Sequence, residues 1–230
     1  MIASLLNVEG LMFIMRWLHF FFGVVWIGHL YYFNFVQGAF FNETDASTKS
    51  NAIQKLVPRA LWWFRYGALW TFLTGLIILS YKGHQLGPDF LNTSYGLNIL
   101  IGSTLGILMA ANVWFVIWPN QKIVIQSATQ AAQGGQALPN AAAAGAKAGL
   151  ASRHNVLFSL PMLFFMGAAS HLQYQVTSAG AFLGLSMVVI AALEFNALKG
   201  KMGPLATVKG VIHCGVALTA LFVAFAAITQ

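Results

Sequence analysis

The chain of 230 residues is 58% hydrophobic and 7% charged, with 12 Lys+Arg against 5 Asp+Glu. A soluble domain carries about 25% charged residues, so this composition excludes a soluble enzyme, a disordered chain and a nucleic-acid module. One cysteine, Cys214, and the absence of a CxxCH motif exclude a disulfide framework, a cysteine-rich zinc or iron–sulfur site and a covalently attached c-type haem. The expectation is an all-α fold, a polytopic membrane helix bundle forming a single domain over residues 1–230.

Six apolar stretches reach the roughly 20 residues that a helix needs to cross about 30 Å of hydrocarbon. They run from about Leu11 to Val36, Leu61 to Tyr81, Tyr95 to Trp118, Asn155 to Leu172, Ala179 to Leu198 and Ala206 to Ile228. The runs are continuous rather than alternating, which argues against a β-barrel. The N-terminal segment has no basic n-region, and the apolar run after it is too long for a signal peptide, so the first span reads as retained.

Between spans three and four, a connector over about 119–152 is rich in Ala, Gly and Gln; it has room for short surface helices but too little apolar content to cross the membrane, and it reads as a cytoplasmic connector with little chemistry. Two GxxxG patterns, at Gly102–Gly106 and Gly180–Gly184, allow close helix approach, with packing inside the bundle the expected use. Trp62, Trp63, Trp114, Trp118, Tyr31 and Tyr32 fall near predicted interfaces and read as an aromatic belt.

Basic residues set the orientation. Lys49, Lys55, Arg59, Arg65, Lys122, Lys147, Arg153, Lys199, Lys201 and Lys209 fall on one side, leaving Lys82 and Arg16 on the other. That basic side is expected to be cytoplasmic, with both termini outside.

Ionisable side chains inside a bilayer are costly and mark candidate sites. At about 1.5 Å per residue, His19 and His171 fall in the outer half of the bundle and His29 and His213 in the inner half, with His154 at the inner boundary and His84 in an outer loop. This sorting suits one or two b-type haems held between helices by imidazole ligands from His19, His171, His29 and His213. Gly23 and Trp26 continue the face of His19; the glycine leaves room for a flat macrocycle, and Arg16, one turn above, suits a haem propionate. Lys209 and Arg65 offer weaker support at the inner site.

The competing reading of each histidine is an interhelical hydrogen bond. Zinc or copper is less well supported, because no local ligand cluster gathers. Glu194, the one acid deep in a span, could carry protons, and pairing with Lys199 or Lys201 is the plainer role. Asn34, Asn98, Asn112 and Asn196 suit contacts between helices, and Cys214 a small core position. No Ser-His-Asp set or carboxylate pair is visible.

Several segments resemble the membrane domain of the bacterial cytochrome-linked urate oxidase (urate hydroxylase) family. They are Arg16-Trp-Leu-His19, Gly23-Val-Val-Trp-Ile-Gly28 with Tyr31-Tyr-Phe33, Ala111-Asn-Val-Trp-Phe-Val-Ile-Trp-Pro-Asn-Gln-Lys122, Ser152-Arg-His-Asn155, and Ser159-Leu-Pro-Met-Leu-Phe-Phe-Met166 followed by His171. The resemblance implies a multi-pass protein of the bacterial inner membrane that works with a cytochrome c. This sequence departs from the family in stopping at Gln230 before any C-terminal cytochrome c, in a shorter region between spans two and three, and in having His29 where the motif has a small residue.

Three functions follow as expectations. The leading one is a haem b electron-transfer protein working with a periplasmic cytochrome c or a larger membrane redox complex. The others are a haem-free accessory subunit and a urate oxidase that uses a separate cytochrome c. A transporter has the least support, since no inverted repeat is visible.

Overall fold

The computed structural model describes residues 5–228, and among them every regular element is helical. Helix α1 (Val8–Tyr31) starts at Asn7, whose side chain accepts from the Gly10 amide. It runs without a break through a π-helical segment, Tyr32–Gln37, into α2 (Gly38–Glu43). Asp45 caps the short α3 (Ala46–Lys55), accepting from the Ser47 and Thr48 amides. The 30-residue α4 (Val57–Leu86) has a proline in its first turn and ends where Gly87 takes φ 62°, a conformation that favours glycine.

Thr93 caps α5 (Ser94–Ala111), which continues through a second π-helical segment, Asn112–Ile117, into α6 (Trp118–Ala132). The second segment has a visible cause. Pro119 lacks an N–H and its ring crowds the carbonyl four residues back, at Phe115, so the chain widens there instead of breaking. Gly134 at φ 85° ends this rod. Helices α7 (Ala141–His171), α8 (Ala179–Lys199) and α9 (Val208–Ile228) complete the bundle.

The connector expected over 119–152 is thus mostly helix, with only residues 133–140 between α6 and α7. Alanine explains the extent of the helix. It contributes little hydropathy but has the highest helix propensity, and Ala144, Ala148 and Ala151 are buried along one side of α7.

Helix α7 is the centre of the bundle, packed against α5, α6, α8 and α9 and reaching α1, while α1 packs mainly on α4. Small residues set the close approaches. A Cβ at Gly102 would lie 2.8 Å from Met166 Cγ, and one at Gly215 2.9 Å from Leu160 Cδ2. Gly102 and Gly106 therefore pack inside the bundle, whereas Gly180 and Gly184 have nothing within 4 Å of a would-be Cβ and lie open.

Four helical rods among the described residues are long and apolar enough to cross a membrane: Val8–Glu43, Ser94–Ala132, Ala179–Lys199 and Val208–Ile228. The other two expected spans lie in α4 and α7, which are long enough but more polar. The α4 run holds Arg65 and several Trp and Tyr residues, and that of α7 holds Asn155, Ser159 and Pro161, shielded by the helices around it.

Candidate functional site

The histidines differ in how their rings are held. His19 Nδ1 lies 3.2 Å from Thr74 Oγ1, and the Thr74 hydroxyl gives its own proton to the Trp70 carbonyl at 2.7 Å. The hydroxyl oxygen must therefore accept from His19, so Nδ1 carries the proton and Nε2 keeps its lone pair. His29 donates Nδ1–H to the Val25 carbonyl at 2.7 Å, and His171 donates to the Gly167 carbonyl at 2.9 Å. A carbonyl can only accept, so both rings take the same tautomer. Three histidines thus have a tethered Nδ1–H and an Nε2 with no hydrogen-bond partner among the described residues. Metal-ligating imidazoles are held in this way.

His154 is different. It is fully buried, donates Nδ1–H to the Leu150 carbonyl at 2.9 Å, and accepts from Asn196 Nδ2 at 2.8 Å through Nε2. Both nitrogens are satisfied, so it is a core histidine that joins α7 to α8. His84, His171 and His213 are exposed, His171 at the last residue of α7.

His19, Gly23 and Trp26 all lie on the face of α1 that meets α4. A Cβ on Gly75 would come 3.0 Å from His19 Cε1, one on Gly67 3.0 Å from the Trp26 amide nitrogen, and one on Gly23 3.9 Å from Thr71 Cγ2. The glycines of α4 therefore seat the large rings of α1. Trp26 is buried with its indole N–H lacking an acceptor, a donor left for a bound group or a water. Arg16 is half-buried one turn from His19, within electrostatic reach of Tyr95 at the start of α5. Thr74 and Gly75, which hold the His19 ring, carry no sequence signal of that role.

Two hydrogen bonds fix the antiparallel register of α1 and α7. Tyr31 and Ser159 share one at 2.9 Å between their hydroxyls, and Asn34 donates to Ser152 at 2.8 Å. Followed along both helices, this register puts the last turn of α7, with His171, at the level of His19. The Gly215–Leu160 contact likewise puts His213 within about a turn of the level of His29. Their lateral positions differ. Helices α1 and α7 are neighbours, but α9 packs on α7 and α8 whereas α1 packs on α4 and α7, so α7 stands between His29 and His213. No group of three or more His, Cys, Asp or Glu gathers for a metal ion among the described residues.

A polar network crosses the helices around His154. Asn112 Nδ2 donates to Asn155 Oδ1 and to Glu194 Oε2, each at 3.1 Å, and Asn155 Nδ2 donates to the Met109 carbonyl at 2.9 Å. Asn196 Nδ2 also donates to the Lys201 carbonyl at 3.1 Å, and its Oδ1 accepts from the Lys201 amide. Glu194 is thus held by an asparagine rather than by Lys199 or Lys201. At the opposite end, Ser94 donates to Gln173 Oε1 at 3.0 Å and the Tyr174 hydroxyl to Asn98 Oδ1 at 2.9 Å, tying the loop after α7 to α5. Burial pushes the Tyr174 hydroxyl above its ordinary range.

The aromatic residues near the start of α4 hold a cation. The Arg65 guanidinium stands 3.8 Å from the Trp118 ring centroid and 5.2 Å from that of Tyr66, and Trp114 Nε1 donates to the Arg65 carbonyl at 3.1 Å. An open groove of about 550 Å³ lies between α1 and the start of α4, lined by Gly28, His29, Tyr32, Arg59 and Trp63 among others.

His19 and His171 fit as haem donors in two respects: their Nε2 atoms are free, and they share one level on neighbouring helices. His29 has a free Nε2 but no histidine facing it across the bundle.

No curated protein and no solved structure matches the chain significantly. Residues 90–226, from just before α5 to near the end of α9, match the family model described as urate oxidase N-terminal. The match covers more than half of the chain, includes His154, His171, His213 and the Asn112–Asn155–Glu194 network, and leaves α1 and α4 outside it. By that match, this helical chain with membrane-length apolar rods belongs to the urate oxidase N-terminal family.

Proposed function

We propose that the chain is a six-span membrane electron-transfer protein that binds haem b and works with a cytochrome c or a larger respiratory complex. Its basic side would face the bacterial cytoplasm and both termini the outside. One observation carries the reading: His19 and His171 share a level, each with Nδ1–H tethered and Nε2 free. When bound, the haem supplies one-electron chemistry. The chain's own residues do the rest. Thr74 and the Gly167 carbonyl fix the tautomers of the two rings, Gly75 leaves room for the His19 imidazole, and Arg16 supplies a positive charge for a propionate one turn away.

The test is a reduced-minus-oxidised spectrum of the purified full chain. A haem b band is expected. It should be lost in His19→Ala and in His171→Ala and kept in His154→Gln, whose ring nitrogens are already occupied. No haem band in the wild-type protein would refute the reading and leave a haem-free accessory subunit.

The family match favours a second reading, oxidation of urate with electrons passed to a separate cytochrome c. Urate-dependent reduction of added cytochrome c by the purified chain would establish it, and no reduction would count against it.

A further inference from the structure

We propose that the groove between α1 and the start of α4 binds a lipid-soluble quinol. The groove offers about 550 Å³ and is open along its outer side, so an occupant would be only partly enclosed. Its rim is open and apolar: Val24 is 74% exposed, Trp63 50% and Leu56 46%. The groove lies at the basic-side end of α1 and α4, where the apolar rod Val8–Glu43 forms one wall, so its apolar rim faces the membrane boundary and its occupant arrives from the bilayer.

The polar groups in the groove narrow the chemistry. His29 is half-buried in the groove and Arg59 is exposed at its basic-side end. Arg59 bonds only the Lys55 carbonyl, through one guanidinium nitrogen at 2.9 Å, and forms no ion pair among the described residues, so its other N–H groups are free. His29 Nδ1–H is committed to Val25, leaving Nε2 as a pure acceptor. The site therefore offers donors from Arg59 and an acceptor at His29.

A quinol matches both. Its hydroxyl donates to His29 Nε2 and its oxygen accepts from Arg59. An oxidised quinone lacks the hydroxyl, and a bare phosphodiester has nothing to donate; phosphatidylglycerol, whose headgroup carries hydroxyls, is the competitor to separate. Gly28 completes the fit, since nothing lies within 4 Å of a would-be Cβ there and the α1 wall is flat enough for a ring. This inference does not depend on haem.

The same glycine supplies the test. At Gly28 an added Cβ meets nothing within 4 Å, so the side chain of Gly28→Leu is directed into the groove with its root unopposed by the bundle. The full chain in phosphatidylcholine nanodiscs is exposed to a short-chain azido-benzoquinone photoprobe, and the labelled peptides are mapped by mass spectrometry. Labelling is expected in the Val24–Tyr32 and Leu56–Trp63 peptides. Decylubiquinol should displace it at lower concentration than decylubiquinone. Gly28→Leu should abolish labelling with the helical circular dichroism unchanged. Arg59→Gln should weaken both competitors, and His29→Leu only the quinol, each by about tenfold for one lost hydrogen bond. Labelling that survives Gly28→Leu or falls outside these peptides would overturn the proposal. So would displacement by phosphatidylglycerol but not by decylubiquinol, which would identify an anionic lipid site instead.

Discussion

Replacing Gly67 with alanine tests the seam that carries His19. The added Cβ would lie 3.0 Å from the Trp26 nitrogen and 3.2 Å from its Cα, both backbone atoms that no rotamer change can move. Ordinary contact requires the helices to separate by about 0.5 Å, enough to forfeit roughly a quarter of each dispersion contact along the seam. Overpacking of this kind costs about 1–3 kcal/mol, and alanine returns at most about 1 kcal/mol of helix propensity. Where alanine returns its full propensity, the expected result is a net loss of up to about 2 kcal/mol.

Gly28→Ala is the control. It gains the same propensity on the same pair of helices but meets nothing within 4 Å, so it should be neutral or slightly stabilising. The assay is unfolding of the detergent-solubilised protein by sodium dodecyl sulfate, followed by circular dichroism, with the two midpoints compared. A Gly67→Ala protein as stable as Gly28→Ala would refute the close packing of α1 on α4 and, with it, the seating of His19 against Gly75.

Asn155→Leu removes the acceptor of one Asn112 bond and the donor to the Met109 carbonyl, so it should cost about 1–2 kcal/mol in the same assay; an unchanged midpoint would mean that the network contributes nothing net. At α3, bonds from the Thr48 side chain, the Thr48 amide and Ser47 hold the Asp45 carboxyl well below its usual range. A carboxyl depressed in the folded state lends stability above its unfolded pKa of about 3.9 and loses it as pH falls towards the folded value. Amide exchange at Ser47 and Thr48, corrected for the intrinsic rate, should therefore lose protection only below about pH 4, and Asp45→Ala should show the unprotected rate at every pH.

The sequence and the structure are most easily compared through the histidines. Their relative levels along the bundle were legible, because helix rise is constant. Their lateral neighbours were not. Nothing in the spacing of His29 and His213 says that α7 stands between their helices. The Thr74 and Gly75 contacts of His19 were hidden for the same reason: a threonine and a glycine 55 and 56 positions away belong to no local pattern. Apolar run length was readable in four rods, while α4 and α7 show how weak a guide it is for helices that carry aromatics or lie inside a bundle. The alanine-rich stretch that opens α7 was a weak sequence signal for the length of its helix because low complexity and high helix propensity coincide there.

The π-helical segment Tyr32–Gln37 has a consequence for how the first rod reads. Each wide turn takes up one residue more than an α-turn, so everything after it is rotated by about 100° relative to an uninterrupted helix. Above the segment the rod presents His19, Gly23 and Trp26 to α4; within it Asn34 turns to Ser152 on α7. A helical wheel drawn through Val8–Glu43 as one piece therefore superimposes two different faces. Deleting one residue between Tyr32 and Gln37 would leave the rod nearly its full length yet swing Asn34 or its replacement away from α7. Chain length and facing direction are thus separately adjustable in this helix, and the extra residue sets the second without the first.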